Sequence, residues 1–195
     1  VSDDEPESLP DRLFEDLRRT YELEDSRTRS VWQRSLPVVE AVSDRWQRAA
    51  ALGFGDGTSV YHHCYVFGSV EVGEHTWIGP NTLLDGSGGL RIGSWCSIGP
   101  GTQIYSHDSA LAALSGGEEA YRREPTAIGD RCWIGGGCVI DAGVTIGSRC
   151  LLRPLTYVER DVPEGSIVAG NPGQVVGRVV VADDGRLRLV SDSPD

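Results

Sequence analysis

The chain has 195 residues, of which 39% are apolar, enough to bury one main core. Its formal net charge is −11 and every basic residue is an arginine, so nucleic acid and anionic membranes are poor partners. Any anionic ligand must be held by a local arginine cluster. No apolar run approaches the roughly 18 residues of a membrane span. The acidic start VSDDEPESLP is unlike a signal peptide; with Val1 first and no methionine, the expectation is a chain that has lost its initiator.

In chain order, residues 1–8 read as a disordered acidic leader. Leu9 to Tyr21 reads as a helix, with Ser8 as cap, Pro10 in the first turn and Leu13, Phe14 and Leu17 as an apolar stripe. The segment EDSRTRS then reads as a polar linker. A second helix is predicted from about Pro37 to Leu52, closed by Gly53, with Val38, Val39, Val42, Trp46 and Ala49 on one side. Both helices are too short to fold alone, so they are expected to pack on the coil that follows or on a neighbouring subunit.

From Val60 the pattern changes. Aliphatic residues recur every six positions at Val60, Val66, Val72, Ile78 and Leu84. After a two-residue slip the series resumes at Ile92, Ile98 and Ile104, and later at Ile128, Ile134, Ile140, Ile146, Leu152 and Val158. Four positions after most of these stands a small residue: Cys64, Val70, Thr76, Thr82, Cys96, Thr102, Cys132, Cys138, Val144, Cys150 and Thr156. Glycine often follows the aliphatic. A fixed six-residue period fits neither a helix nor an ordinary strand. It fits a stacked triangular coil whose aliphatics fill the prism and whose small residues fit its corners.

The stretch from Tyr105 to Ala127 lacks the period and reads as a loop, 105–127, thrown out from the coil, with a short helix at Ala110–Leu114 ended by Gly116 and Gly117. After Val158 comes a capping segment, then a hairpin over Val179–Val190 turned at Asp184–Gly185. The organisation is therefore 1–54 leader and helices, 55–176 coil domain with its loop, and 177–195 hairpin tail. The fold class is mainly β. All five cysteines occupy the small inward slot, where they act as small hydrophobes. No CxxC pair suggests zinc, no metal is expected, and an odd number of buried thiols suits a reducing cytoplasm.

Three denser segments carry a family likeness: WIGPNTLLDGSGGLRIG (77–93), TQIYSHDSALAALSGGEEAYRREPTAIGDRCWIGGG (102–137) and GVTIGSRCLLRPLTYVERDVPEGSIVAGNPGQVVG (143–177). Over roughly residues 50–178 the chain resembles the hexapeptide-repeat acyltransferases, most closely the sugar and xenobiotic O-acetyltransferases. The resemblance implies a left-handed parallel β-helix and a homotrimer with acetyl-CoA in clefts between subunits. It places the catalytic base at His107 in YSHD. It places cofactor contacts at Gly135 and Gly136, at Arg160, and at Ala169 and Asn171 in the AGNP turn; Arg178, and after it Arg153, are further candidates to hold the CoA phosphates. A lysine common before DVP is Arg160 here, and a basic residue often found after AGNP is Gln174, which shifts the 3′-phosphate contact to Arg178.

Transfer of an acyl group from a thioester to an alcohol needs positioning, a base and an oxyanion donor. Histidine titrates near working pH and suits the first task; backbone N–H groups of Gly135–Gly137 suit the last. Asp85 reads either as the group orienting the imidazole or binding the acceptor, or as a turn aspartate before glycines. Asp108 reads as solvated or as the cap of the loop helix. His62, His63 and His75 read as surface residues. The leading function is thus CoA-dependent O-acetyl transfer to a sugar or other small hydroxylated acceptor. Transfer to an amine, serine acetylation, a metal-dependent carbonic anhydrase and a non-catalytic assembly module are the other readings. The last two lack support here, since no histidine follows His107 to build a metal site and the His107 loop is intact.

Overall fold

The computed structural model describes residues 9–191; the leader expected at 1–8 lies outside the described residues. The chain falls into two compact units, Val1–Asp44 and Arg45–Asp195.

In the first unit, helix α1 (Leu9–Trp32) is longer than predicted. EDSRTRS is helix, not linker. The reason is Asp25, which is 3% exposed. Its carboxylate accepts from the Arg29 guanidinium one turn later and from the Ser35 hydroxyl at 2.8 Å, while the Tyr21 hydroxyl donates to the Leu36 carbonyl at 3.1 Å. Those contacts, Arg29 first and Ser35 next, outweigh burial and lower the Asp25 pKa. Polar residues thus hold a turn that hydrophobic periodicity alone does not mark. Leu13, Phe14 and Leu17 are exposed. The second predicted helix is also corrected: it is two pieces, α2 (Val38–Ala41), ending at Val42, and α3 (Arg45–Ala51). Of the apolar side expected for it, only Ala49 is buried.

Helix α3 belongs to the coil unit. Arg48 donates to the carbonyls of Tyr61 and Cys64, tying the helix to the first coil. Gly53, at φ 74°, then turns the chain out of the helix as its sequence position predicts.

The coil is three ladders of short parallel strands. The first contains β1 (Ser59–Val60), β3 (Trp77–Ile78), β5 (Ser97–Ile98), β10 (Trp133–Ile134), β13 (Leu151–Leu152) and β15 (Ser166–Ala169). The second contains the starts of β2 (Tyr65–Val72) and β4 (Leu83–Ile92), then β6 (Gln103–Ile104), β11 (Val139–Ile140) and β14 (Tyr157–Val158). The third contains the ends of β2 and β4, then β9 (Thr126–Ile128) and β12 (Thr145–Ile146), with a last bridge from Ile146 to Val162. Every register aligns one hexad aliphatic on the next, as Ile78↔Ile98, Leu84↔Ile104 and Ile92↔Ile128 show. All of the hexad aliphatics are buried except Val66, which is half-buried. Stacking identical side-chain types at each level is what lets so narrow a core close.

The small slots form columns of their own. Thr58, Thr76, Cys96, Cys132 and Cys150 lie one above the other at the corner between the third and first ladders. Thr58 and Thr76 donate to the carbonyls of Gly73 and Gly93 and accept the N–H of the next column member. The sulfurs of Cys96, Cys132 and Cys150 each lie 3.2 Å from the corresponding carbonyls of Gly129, Gly147 and Pro163. Cysteine here takes the threonine position, its sulfur facing the carbonyl that a threonine hydroxyl meets in the earlier coils. Beyond the coil, β16 (Gln174–Val181) runs antiparallel to β15 and to β17 (Leu187–Ser191), the hairpin predicted around Asp184–Gly185. No helix among the described residues is long and apolar enough to cross a membrane.

Candidate active site

The site begins with a register slip. Between β2 and β4 the pairing steps from Gly68↔Gly86 to Val70↔Leu90, so β4 carries two extra residues at the corner between the second and third ladders. This is the slip seen in the sequence between Leu84 and Ile92. Gly86 makes it possible, because a Cβ there would stand 2.1 Å from the Ser69 carbonyl oxygen of the coil beside it.

Asp85 opens this bulge and is 1% exposed. Its carboxylate accepts the Ser87 N–H at 3.0 Å, the Ser87 hydroxyl at 2.6 Å and the Ser106 N–H at 3.2 Å, and it meets His107 Nδ1. The Ser106 hydroxyl donates to the Asp85 carbonyl at 2.6 Å and accepts the Gly88 N–H at 2.8 Å. Burial by itself raises the pKa of this carboxyl, but the donors of Ser87, His107 and Ser106 overcome it and hold the value at about 2. Asp85 is therefore an anion facing the imidazole. With Nδ1 against that anion, the ring proton resides on Nδ1 and the lone pair is left on Nε2, the arrangement a general base requires.

His107 sits where the excursion leaves the coil. Strand β7 (His107–Asp108) pairs antiparallel with β8 (Arg122–Arg123), His107 opposite Arg123 and Asp108 opposite Arg122. One face of this ribbon is a clamp. Arg122 Nε lies 3.2 Å from Asp108 and its Nη2 donates to the Ala142 carbonyl at 3.2 Å, with Glu124 and Asp141 within 3.8 Å. The Tyr157 hydroxyl donates to Asp141 at 3.3 Å. Asp108 also accepts the Ala110 N–H at 2.7 Å, just ahead of the loop helix α4 (Ala110–Leu114), whose N-cap is Ser109. The other face carries His107, whose side chain keeps 32% of its surface accessible.

The expected cofactor residues lie on more than one edge. Gly135, Gly136 and Arg153 line the corner between the first and second ladders, and the turn of Ala169 and Asn171 folds over β14, where Gly170 accepts the Tyr157 N–H and Gly173 donates to the Tyr157 carbonyl. The N–H groups of Gly135 and Gly137 are spent on the carbonyls of Leu152 and Pro100. Two of the three amides expected to serve as oxyanion donors are therefore already taken by the coils. Arg160 stands two coils beyond the excursion at the other edge of the second ladder, 85% exposed, with Glu159 at 3.6 Å. Arg178 is exposed on β16, opposite Ser166. Ser87, Ser106 and Arg122 escaped the sequence reading. Their only signal was proximity to Asp85 and His107, which assigns no role. Among the described residues no cluster of three His, Cys, Asp or Glu side chains suits a metal ion.

Comparison with known proteins places the chain in a family. The pattern "Bacterial transferase hexapeptide (six repeats)" matches residues 125–160. Nodulation protein L of Rhizobium leguminosarum bv. viciae is 33% identical over 138 residues, covering 68% of this chain and 73% of that protein. Nodulation protein L of Rhizobium meliloti (strain 1021) is 34% identical over 115 residues, 59% of this chain; the chain spans 63% of that protein's length. The structure of a hexapeptide-repeat acetyltransferase from Vibrio cholerae O1 biovar eltor, complexed with acetyl-CoA, aligns with a TM-score of 0.63 at 26% identity, covering 85% of this chain and 88% of that one. A galactoside acetyltransferase in complex with coenzyme A shares the fold, with a TM-score of 0.61 at 20% identity over 88% of this chain and 92% of its own. The chain belongs to the hexapeptide-repeat acetyltransferases, and its coil is the β-helix of that family.

Proposed function

We propose that this protein transfers an acetyl group from acetyl-CoA to a hydroxyl of a sugar or another small acceptor, with His107 as the general base. The observation that carries the proposal is the contact of His107 with a buried, ionised Asp85 at the root of the excursion. A carboxylate that fixes the tautomer and stabilises the imidazolium is what a histidine base needs. His107 Nε2 takes the proton of the acceptor hydroxyl as its oxygen attacks the thioester carbonyl. The carbon–sulfur bond then breaks, and the imidazolium returns the proton to the leaving sulfur. Within one chain Gly136 and His107 lie on opposite edges of the second ladder, so in this reading the oxyanion N–H comes from Gly136 of a neighbouring subunit. Arg153, Arg160 and Arg178 supply the cations a phosphate-bearing co-substrate requires on an acidic protein, where the global field repels it. The sugar reading is supported by the named activity of the galactoside acetyltransferase that shares the fold. The assembly that fits these edges is a homotrimer whose clefts bring the second ladder of one subunit against a neighbour, in a reducing cytoplasm that suits the buried thiols.

The test is His107→Ala with acetyl-CoA and a panel of glycosides, followed by free-thiol release. A fall in kcat of about 10²-fold or more, with acetyl-CoA binding retained, is the expected result. Near-full activity in that variant overturns the assignment.

A further inference from the structure

The catalytic face of the β7–β8 ribbon carries more than the base. His107 and Arg123 are direct cross-strand partners, so their side chains project to the same side. Tyr121, two residues before Arg123, shares that side. Its ring centroid lies 6.3 Å from that of His107 at 36°, and the Arg123 guanidinium lies 5.9 Å from the Tyr121 ring. Tyr121 is 53% exposed. The two adjacent arginines are treated in opposite ways. Arg122 is paired with Asp108, Glu124 and Asp141, whereas Arg123 has no carboxylate partner among the described residues. In a chain of 29 acidic and 18 basic residues, a guanidinium beside the base with no carboxylate partner is a site for an outside anion.

We infer that Tyr121 and Arg123 form the acceptor subsite, and that the preferred acceptor is a hydroxylated ring carrying an anionic group, a carboxylate or a phosphate. This inference rests on the acetyl-transfer reading above. The tyrosine ring offers an apolar plane for the C–H face of a sugar, and the arginine fork offers two parallel N–H donors to the anion. The anion belongs to the acceptor rather than to CoA because of distance. The reacting hydroxyl must touch His107, so groups a few ångströms from it lie on the same small molecule, whereas the pantetheine arm holds the CoA phosphates far from the thioester.

The experiment compares methyl galactoside with methyl galacturonide and galactose 1-phosphate, using acetyl-CoA and wild-type protein. At least one charged acceptor should show a kcat/KM about ten-fold or more above the neutral glycoside, the scale of one charge-assisted pair. Arg123→Gln should remove that advantage while leaving the neutral glycoside and the KM for acetyl-CoA nearly unchanged. Arg123→Lys should recover part of it, and Tyr121→Ala should raise KM for charged and neutral acceptors alike. Equal or better use of the neutral glycoside by the wild type overturns the inference and leaves acetyl transfer standing. A rise in KM for acetyl-CoA in Arg123→Gln also overturns it, since the guanidinium then holds a CoA phosphate. Wild type that acetylates none of these acceptors and none of the glycoside panel overturns the sugar reading and the subsite with it.

Discussion

Asp85 concentrates the physics of the site in one side chain. Asp85→Asn keeps its shape and removes its charge, so the imidazole loses both its fixed tautomer and its counter-ion. We expect kcat to fall by roughly 10²-fold or more, with KM for acetyl-CoA little changed. The same charge contributes to folding. Its pKa is lowered from 3.8 to about 2, so the contribution is present above the unfolded value and lost as pH falls through the folded one. A shift of that size is worth about 2 kcal/mol. In acid unfolding followed by circular dichroism, the margin of wild type over Asp85→Asn should shrink as pH falls from about 4 and be lost only below about 2; a margin undiminished at pH 2 counts against the carboxylate. Cys138 illustrates the opposite case. Its sulfur is fully buried, 3.2 Å from the Arg153 carbonyl, and burial pushes its pKa up, so it is a thiol that fills space. Cys138→Ala should lower stability by about 1 kcal/mol in denaturant titration with activity retained. A loss of activity would mean that this sulfur does more than pack.

At the scale of elements, the bulged corner of β4 and the β7–β8 ribbon build the site together. Gly86 is the point where neither can yield. Its missing Cβ is occupied by the Ser69 carbonyl, a backbone atom that cannot rotate away. Gly86→Ala should destabilise the coil by roughly 2 kcal/mol or more and displace Asp85, lowering both the melting temperature and kcat. A melting temperature equal to the wild type would show that the corner is looser than the packing implies. The hexad strands and the α4 helix were legible because each repeats or punctuates a regular pattern. The second half of α1 was not. Its stabilisation comes from Asp25, Arg29 and Ser35, a polar cluster whose members look like surface residues until the chain turns back at Leu36. The break in the second helix at Val42 likewise has no glycine or proline to announce it.

At the scale of the molecule, the prediction is a homotrimer in solution. Several large side chains along the coil, among them Trp95, Trp133 and Leu155, are 61%, 46% and 75% exposed. Surfaces of this kind suit burial between copies. Light scattering should report three chains per particle, and mixing inactive His107→Ala chains with chains inactivated at a neighbouring cleft face should restore part of the activity. A fully active monomer would place the whole site within one subunit.

What the sequence determined by itself was the coil, and it singled out His107 as the candidate base. A six-residue period is a covalent property of the chain, and only a stacked prism buries it. His107 stood out because it lies where that period stops. The partners of His107 belong to the tertiary structure. Asp85 and Ser87 are a full coil earlier in the chain, and Arg123 arrives from the far end of the excursion; only stacking and the antiparallel ribbon bring them within contact. The commitment of the Gly135 and Gly137 amides to Leu152 and Pro100 is of the same kind. Which backbone donors remain for chemistry depends on what the neighbouring coils take, and that accounting exists only once the coils are stacked.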